Sequence, residues 1–525
     1  MHEATIMSVT MKSSISFFYF CLLNTGASLP IFEAKLHNNI YIAMSNTNLL
    51  EPSIVFDCFA EVNKVPRPSK KEEKMIAFLK AFGESLGLPT KVDETGNVCI
   101  SKPATPGYEG RKTVILQSHM DMVCEKNKDS DFNFETDAIQ TYVDGEWMRA
   151  KGTTLGADDG IGVAMEMAIL KSNDIEHGPI ECVFTRDEET GLTGAFGMKG
   201  DFMHGDYLIN LDSEDEGQIF VSCAGGVRTT ATYPFPTEAM PQGYTTFRIG
   251  VKGLTGGHSG DDIKKKRANA NKLLVRFLVS EMEKMDLRLS DIQSGGLHNA
   301  IPREGHATCA VPTDKFATIK ADLEAFAADV KEEFSVTEKT IVFTIDEEPA
   351  ATEAMQSTAM RKMLLSLHAV HNGVFAMSQD IDWLVETSSN LASIRREGDH
   401  VTVTTSQRSS VSSACANMAS VVRAAFELGG ASVVTNEGYP GWKLNPNSEI
   451  VKIAKESYES LFGKEPKILA IHAGLECGLF SEKYPKLDMV SFGPTLRGVH
   501  SPDERLLIPT VKMVWDHLLD ILKRV

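Results

Sequence analysis

The sequence predicts an α/β protein: a main domain on a largely parallel, helix-covered sheet, with an α+β lid domain inserted into it. Three observations predict this. Four short β-rich runs after residue 110 each stop at a cluster of His, Asp or Glu. Helical patterns lie between those runs, and strands that alternate with helices build parallel sheets. Residues 226–438 then interrupt the alternation with strands and amphipathic helices of their own.

Size and charge narrow the function. At 525 residues the chain exceeds the roughly 250–300 residues at which a single core stops growing. It carries 53 Lys+Arg against 71 Asp+Glu, a net charge of −18. That acidity argues against nucleic acid, whose phosphates require a basic face, and against an anionic membrane surface. Nine cysteines are scattered without a CxxC pair, the pattern of reduced thiols in a cytoplasmic protein.

Residues 1–43 differ from the rest and are expected to be an extension without fixed structure. The apolar run Ile15 to Leu23 is too short to span a bilayer, which takes about 20 residues. Lys12 precedes it and Thr25-Gly26-Ala27 follows it, so a start at Met11 would resemble a secretory signal and imply export. An over-long start is favoured, because Met44 opens a segment that reads at once as a capped helix.

The four runs come next. Thr113 to Ser118 ends at His119-Met120-Asp121, and Ile180 to Thr185 ends at Arg186-Asp187-Glu188-Glu189. Tyr207 to Leu211 ends at Asp212-Ser213-Glu214, and Met489 to Gly493 runs on to His500-Ser501-Pro502. Between them, Ile161 to Leu170 forms a helix after the turn Gly156-Ala157-Asp158-Asp159-Gly160, with Met165 and Met167 as core filler. In such sheets ligands bind beyond the carboxyl ends of the strands, so the polar clusters are expected on one rim.

Imidazole and carboxylate are ligands of zinc and its first-row neighbours. Two His with three or more acids suit a pair of metal ions bridged by one carboxylate. Such chemistry needs a further, unbound carboxylate to move a proton. Glu188 and Glu189 are adjacent, so one can ligate while the other faces water. Asp121, two residues from His119, can hydrogen-bond its far ring nitrogen. Singly, each residue has a plainer use as a helix cap, a turn or a solvated strand end; only the joint pattern points to metal.

The runs Ser118-His119-Met120-Asp121, Leu155-Gly156-Ala157-Asp158-Asp159-Gly160 and Asp187-Glu188-Glu189-Thr190-Gly191 resemble the M20 family of metallopeptidases. So do Asn210-Leu211-Asp212-Ser213-Glu214, Gly256-Gly257-His258-Ser259-Gly260 and Gly493-Pro494-Thr495 leading to His500-Ser501-Pro502. The wording is most similar to the aminoacyl-histidine dipeptidase branch, over residues 44 to 525. The resemblance implies a zinc-exopeptidase-like catalytic domain in two segments, 44–225 and 439–525, and a lid or dimerisation domain at 226–438. It implies two divalent ions per chain, zinc with cobalt or manganese as alternatives. His119 and Asp212 would hold one ion, Glu189 and His500 the other, and Asp158 would bridge them. Glu188 would be the general base, and Asp121 would orient His119.

Within the lid, His258 would donate to a developing oxyanion, and Arg408 would pair bidentately with a substrate carboxylate. Asn299 would hold a carboxylate or carbonyl. The plain alternatives are a turn histidine, a solvated strand-end arginine and an Asx turn before Pro302. His472 and Glu476 are spaced i and i+4, which on a helix would share a face; they are taken as pocket wall, with Gly474 allowing close approach of substrate.

The resulting expectation is a di-zinc dipeptidase for unblocked dipeptides, including Xaa-His such as carnosine, and a homodimer through the lid. An M20-type amidase acting on N-acyl amino acids, or a non-catalytic metal-binding protein on the same fold, is the alternative. A nucleotide-binding protein is disfavoured, because the glycines at 156, 160 and 162 lack GxGxxG spacing and no GKS or GKT follows a strand.

Overall fold

A computed structural model describes residues 50–379 and 381–525. The expected extension 1–43 and the start of the helix sought after Met44 lie outside the described residues. The first described helix, α1 (Ser53–Val62), turns Val55, Phe56, Cys58, Phe59 and Val62 inward. The chain then forms α2 (Glu73–Ser85), β1 (Thr90–Val92), β2 (Val98–Lys102), β3 (Val114–His119), α3 (Ala157–Lys171), β4 (Ile180–Thr185), β5 (Tyr207–Asn210) and β6 (Gln218–Cys223).

From β6 the chain passes into a second sheet, β7 (Gly225–Pro234), and makes one unit: β8 (Tyr244–Lys252), α4 (Ala270–Glu281), β9 (Arg288–Gly295), β10 (Gly305–Pro312), α5 (Phe316–Glu333) and β11 (Val342–Glu347). It continues through α6 (Ser357–Ala369), β12 (Val385–Glu397), β13 (His400–Ser409), α7 (Ser412–Leu428) and β14 (Ser432–Thr435). It returns as α8 (Glu449–Phe462), β15 (Lys467–Ile471), α9 (Glu476–Lys483), β16 (Asp488–Ser491) and α10 (Ile508–Arg524).

The first sheet has the order β1-β2-β4-β3-β5-β16-β6-β15. Its central strands β4, β3, β5 and β16 run parallel. These are the four runs that end in ligand-type residues. Their neighbours β2 and β6 run antiparallel to β4 and β16, so the sheet is mixed at its flanks. The central strands are buried along their whole length apart from Asp488 at the start of β16, as expected for strands covered on both faces. Helix α3 is buried almost all round, Met165 and Met167 included, because it lies between α1 and β3.

The second sheet is antiparallel, with the order β11-β8-β10-β9-β12-β13-β7-β14. Each half has the same connectivity. β8-α4-β9-β10-α5-β11 is a βαββαβ unit, and β7-α6-β12-β13-α7-β14 is another, into which the first is inserted after β7. Both show the ferredoxin-like strand order 4-1-3-2. They join edge to edge where Gln293, Ser294 and Gly295 pair with Arg395, Ile394 and Ser393. Their helices cover one face and bury a separate core around Phe247, Phe277, Leu391 and Phe426.

Two expected helices differ in detail. The amphipathic pattern Ile263 to Met282 predicts one helix in the sequence; it begins instead as a single 3-10 turn, Ile263–Lys265, and is broken by Lys266 at φ 55°. The α-helix starts only at Ala270, where the Asn269 side chain accepts the Lys272 N–H. The spacing of His472 and Glu476 is not helical: His472 follows β15 and α9 begins at Glu476. His472 Nε2 meets Ser388 Oγ at 2.7 Å, whereas Glu476 accepts from Gln117 and Thr185.

Candidate metal centre and active site

Parallel neighbours β4, β3, β5 and β16 deliver their carboxyl ends to one rim. His119 is the last residue of β3. Asp212 lies just past β5, Glu188 and Glu189 open a single helical turn after β4, and His500 lies in the loop after β16. Asp158 enters from the turn before α3.

These residues meet. His119 Nε2 is 3.0 Å from Asp158 Oδ1 and 3.7 Å from Asp212 Oδ1. His500 Nε2 is 3.2 Å from Asp158 Oδ2 and 3.0 Å from Glu189 Oε2. The two oxygens of Asp158 thus serve different histidines. His119, Asp158 and Glu189 each bring a ligand atom within 4.8 Å of the others.

The electrostatics are those of acids crowded together and buried. Burial raises the Asp212 and Glu188 carboxyls well above the usual range, and neighbouring acids raise them further. His119 is raised despite burial, through Asp121 and Asp158. Asp158 and Glu189 push His500 up to about 11. Glu189 Oε1 is buried without a hydrogen-bond partner. An arrangement that must take up protons to offset its own charge, and that leaves a carboxylate oxygen unsatisfied, fits divalent cations, whose binding releases those protons.

Asp121 ties the centre together. Its Oδ1 is 3.3 Å from His119 Nδ1. The same carboxylate accepts the N–H groups of Glu188 at 3.0 Å and Glu189 at 3.3 Å, and the Ser69 hydroxyl at 2.7 Å. It therefore holds the turn that carries both glutamates as well as the histidine.

A cavity of about 500 Å³ opens over the centre, lined by Asp158, Glu188, Glu189, Asp212 and His500 at the rim of the first sheet and by His258 and Asp261 of residues 226–438, at a short ribbon in which His258 pairs with Ala300. Glu214, Phe220, Leu475 and Gly474 are also part of its wall. A Cβ at Gly474 would come 2.7 Å from the Tyr439 ring, so glycine there is required by a protein neighbour as well as by the cavity. His258 Nδ1 is 3.3 Å from Asp261 Oδ2, and its Nε2 is 3.5 Å from Arg408 Nη2. Arg408 is buried and donates to Tyr439 Oη at 2.8 Å, behind the lining.

The rim thus gathers the expected ligands and Glu188, with His258 and Gly474 across the cavity. Asn299 stands apart, on an exposed turn outside the lining, where its backbone carbonyl accepts the Ser259 N–H at 2.8 Å. Sequence reasoning assigned no role to Asp261, Glu214, Tyr439, Arg67 or Glu504. Asp261, three residues after His258, and Glu214, two after Asp212, were within reach of a spacing argument; Tyr439, Arg67 and Glu504 meet the site only through tertiary contacts.

The sequence profile of peptidase family M20/M25/M40 matches residues 115–524. The chain is 42% identical over 482 residues to the cytosol non-specific dipeptidase of Escherichia coli (strain K12), covering 92% of this chain and 99% of that protein. The crystal structure of aminoacylhistidine dipeptidase from Vibrio alginolyticus is similar with a TM-score of 0.85 and 43% identity, over 91% of this chain and 98% of that one. A tripeptidase from Staphylococcus aureus shares the fold at 17% identity, with a TM-score of 0.53 over 91% of this chain and 99% of that one.

Proposed function

The chain belongs to peptidase family M20/M25/M40, and from that premise we propose that it is a metallo-dipeptidase, a hydrolase of peptide bonds in unblocked dipeptides, Xaa-His included. Its similarity to two dipeptidases over nearly their full lengths supports this. The observation that carries the reading is the shared Asp158 carboxylate, with one oxygen toward His119 and the other toward His500. That geometry suits two divalent ions, zinc by preference, held by His119, Asp212, Glu189 and His500 with Asp158 between them.

Once bound, the ions supply Lewis acidity and a water of lowered pKa. The Glu188 carboxylate, free of hydrogen bonds among the described residues and facing the cavity, takes the proton of the attacking water and returns it to the departing amine. His258 stands across the cavity to donate to the carbonyl oxygen as charge develops on it. Arg408, behind His258, supplies the positive charge for the substrate carboxylate. Asn299 contributes from the rim of the lid once substrate is bound.

Glu214 lines the same cavity and forms no ion pair among the described residues. It offers a countercharge to a free amino terminus, which favours a dipeptide over an N-acyl amino acid. Segments 44–225 and 439–525 are assigned the chemistry, and 226–438 the lid that closes over it. No helix among the described residues is long and apolar enough to cross a membrane, and the cytosolic relative supports a cytoplasmic location. A homodimer through the lid remains the expected assembly. Light scattering tests this: a single chain in solution would overturn it and leave the internal β9–β12 pairing, which joins two like units within one chain, to complete the lid.

The test is metal analysis with a substrate panel before and after chelation. About two ions per chain, cleavage of unblocked dipeptides, and loss of activity on chelation with recovery on zinc are expected. Faster turnover of N-acetyl amino acids than of dipeptides would move the assignment to an amidase.

A further inference from the structure

Glu504 is almost fully buried, with 2% of its surface exposed, and lies outside the cavity lining. Its carboxylate accepts four consecutive backbone N–H groups. Oε2 takes those of Leu155 at 2.7 Å and Gly156 at 3.0 Å, and Oε1 those of Ala157 at 2.8 Å and Asp158 at 3.3 Å. The same loop is also held through one of its carbonyls. Arg67, equally buried, donates to Gly156 O at 2.5 Å and to Asp121 O at 2.9 Å.

Glu504 is also close to the other half of the centre along the chain. Its own N–H donates to Ser501 O at 3.0 Å, closing a turn directly after His500. The following residues, Arg505–Leu507, pair in register with Trp147–Arg149, just upstream of the 155–158 loop. One carboxylate therefore spans the segment that carries Asp158 and the segment that carries His500.

We propose that Glu504 is a positioning residue that fixes Asp158 so that its two oxygens face His119 and His500 at once. The proposal rests on the two-cation reading of the site. A helix cap made only for stability satisfies one or two end N–H groups. Here the first residues of α3, Asp158 and Asp159, are not helical, so the carboxylate holds an irregular loop whose shape sets the direction of Asp158. Groups that orient a ligand in this way govern metal affinity by about 10–100-fold.

The test uses the full-length, metal-free protein with Mn(II) added in steps and followed by electron paramagnetic resonance. The wild type is expected to give an exchange-coupled pair signal as the second equivalent binds. Glu504→Gln keeps the volume but turns an amide N–H₂ toward backbone donors. It is expected to give isolated Mn(II) signals and at least tenfold weaker binding of the second ion. Gly295→Ala, a lid change remote from the centre, is expected to lower the melting temperature yet keep the coupled signal, which separates positioning from stability. If Glu504→Gln does not fold, amide hydrogen exchange of the metal-free wild type gives the answer: strong protection at 155–158 is expected. A coupled signal with unchanged second-ion affinity in Glu504→Gln, or exchange at 155–158 as fast as in exposed loops, overturns the proposal alone. A wild type that never shows a coupled pair overturns the two-cation reading and the proposal with it.

Discussion

Glu188 and Glu189 are neighbours with different surroundings. Glu189 reaches His500, while Glu188 faces the cavity without a hydrogen bond among the described residues. Glu188→Gln is therefore expected to lower kcat on the order of 10²–10⁴-fold while metal content, measured by elemental analysis, stays at the wild-type value. Near-normal turnover would remove Glu188 from the chemistry. Asp121→Asn keeps shape but loses the negative charge beside the His119 ring and one of the two oxygens that accept the glutamate N–H groups. It is expected to weaken metal binding by about 10–100-fold, read by competition with a chelator; unchanged affinity would leave Asp121 a bystander. That polar residues at strand ends would meet was legible in the sequence, since parallel strands deliver their carboxyl ends to one rim; which of them are proposed as ligands came from the family resemblance. Glu504 was not legible, because its partners are backbone N–H groups nearly 350 residues upstream.

Among the elements, the central strands β4, β3, β5 and β16 were the most legible. A run of buried β-formers bounded by polar clusters leaves little freedom. The lid was legible as α+β but not as two like units, since its order depends on pairing between segments about a hundred residues apart, such as Gln293 with Arg395. Helix α4 began later than its apolar pattern suggested, because Asn269 supplies a cap and Lys266 turns the backbone away. At the seam between the two units, Gly295 has φ 74°, and a Cβ there would lie 2.0 Å from Ala392 O. Gly295→Ala is expected to cost about 1–3 kcal/mol, seen as a lower denaturant midpoint; an unchanged midpoint would mean that the seam does not depend on that close approach.

At the scale of the molecule, acid sensitivity is expected to come partly from a site far from the metal centre. His517 on α10 is buried, and its Nε2 meets Ala454 O of α8 at 2.8 Å. Burial pushes its pKa down to about 4, below the roughly 6.5 of an unfolded histidine. Between those values the unfolded chain holds a proton that the folded one refuses, so stability falls as pH drops through that window. Across the whole window the loss amounts to roughly 3 kcal/mol. Melting temperature is expected to fall more steeply for the wild type than for His517→Gln between about pH 6.5 and pH 4.5; parallel profiles would rule this out.

The chain enters and leaves the lid through strands that bond to each other. Cys223 and Trp442 exchange N–H···O bonds at 3.0 and 2.9 Å, and Gly226 and Tyr439 do so at 2.9 Å each way. Everything between is a loop closed at its neck. Closure entropy grows only with the logarithm of loop length, about 0.6 kcal/mol per doubling. A stalk of this kind lets the inserted block grow from one βαββαβ unit to two at almost no thermodynamic penalty to the sheet beneath.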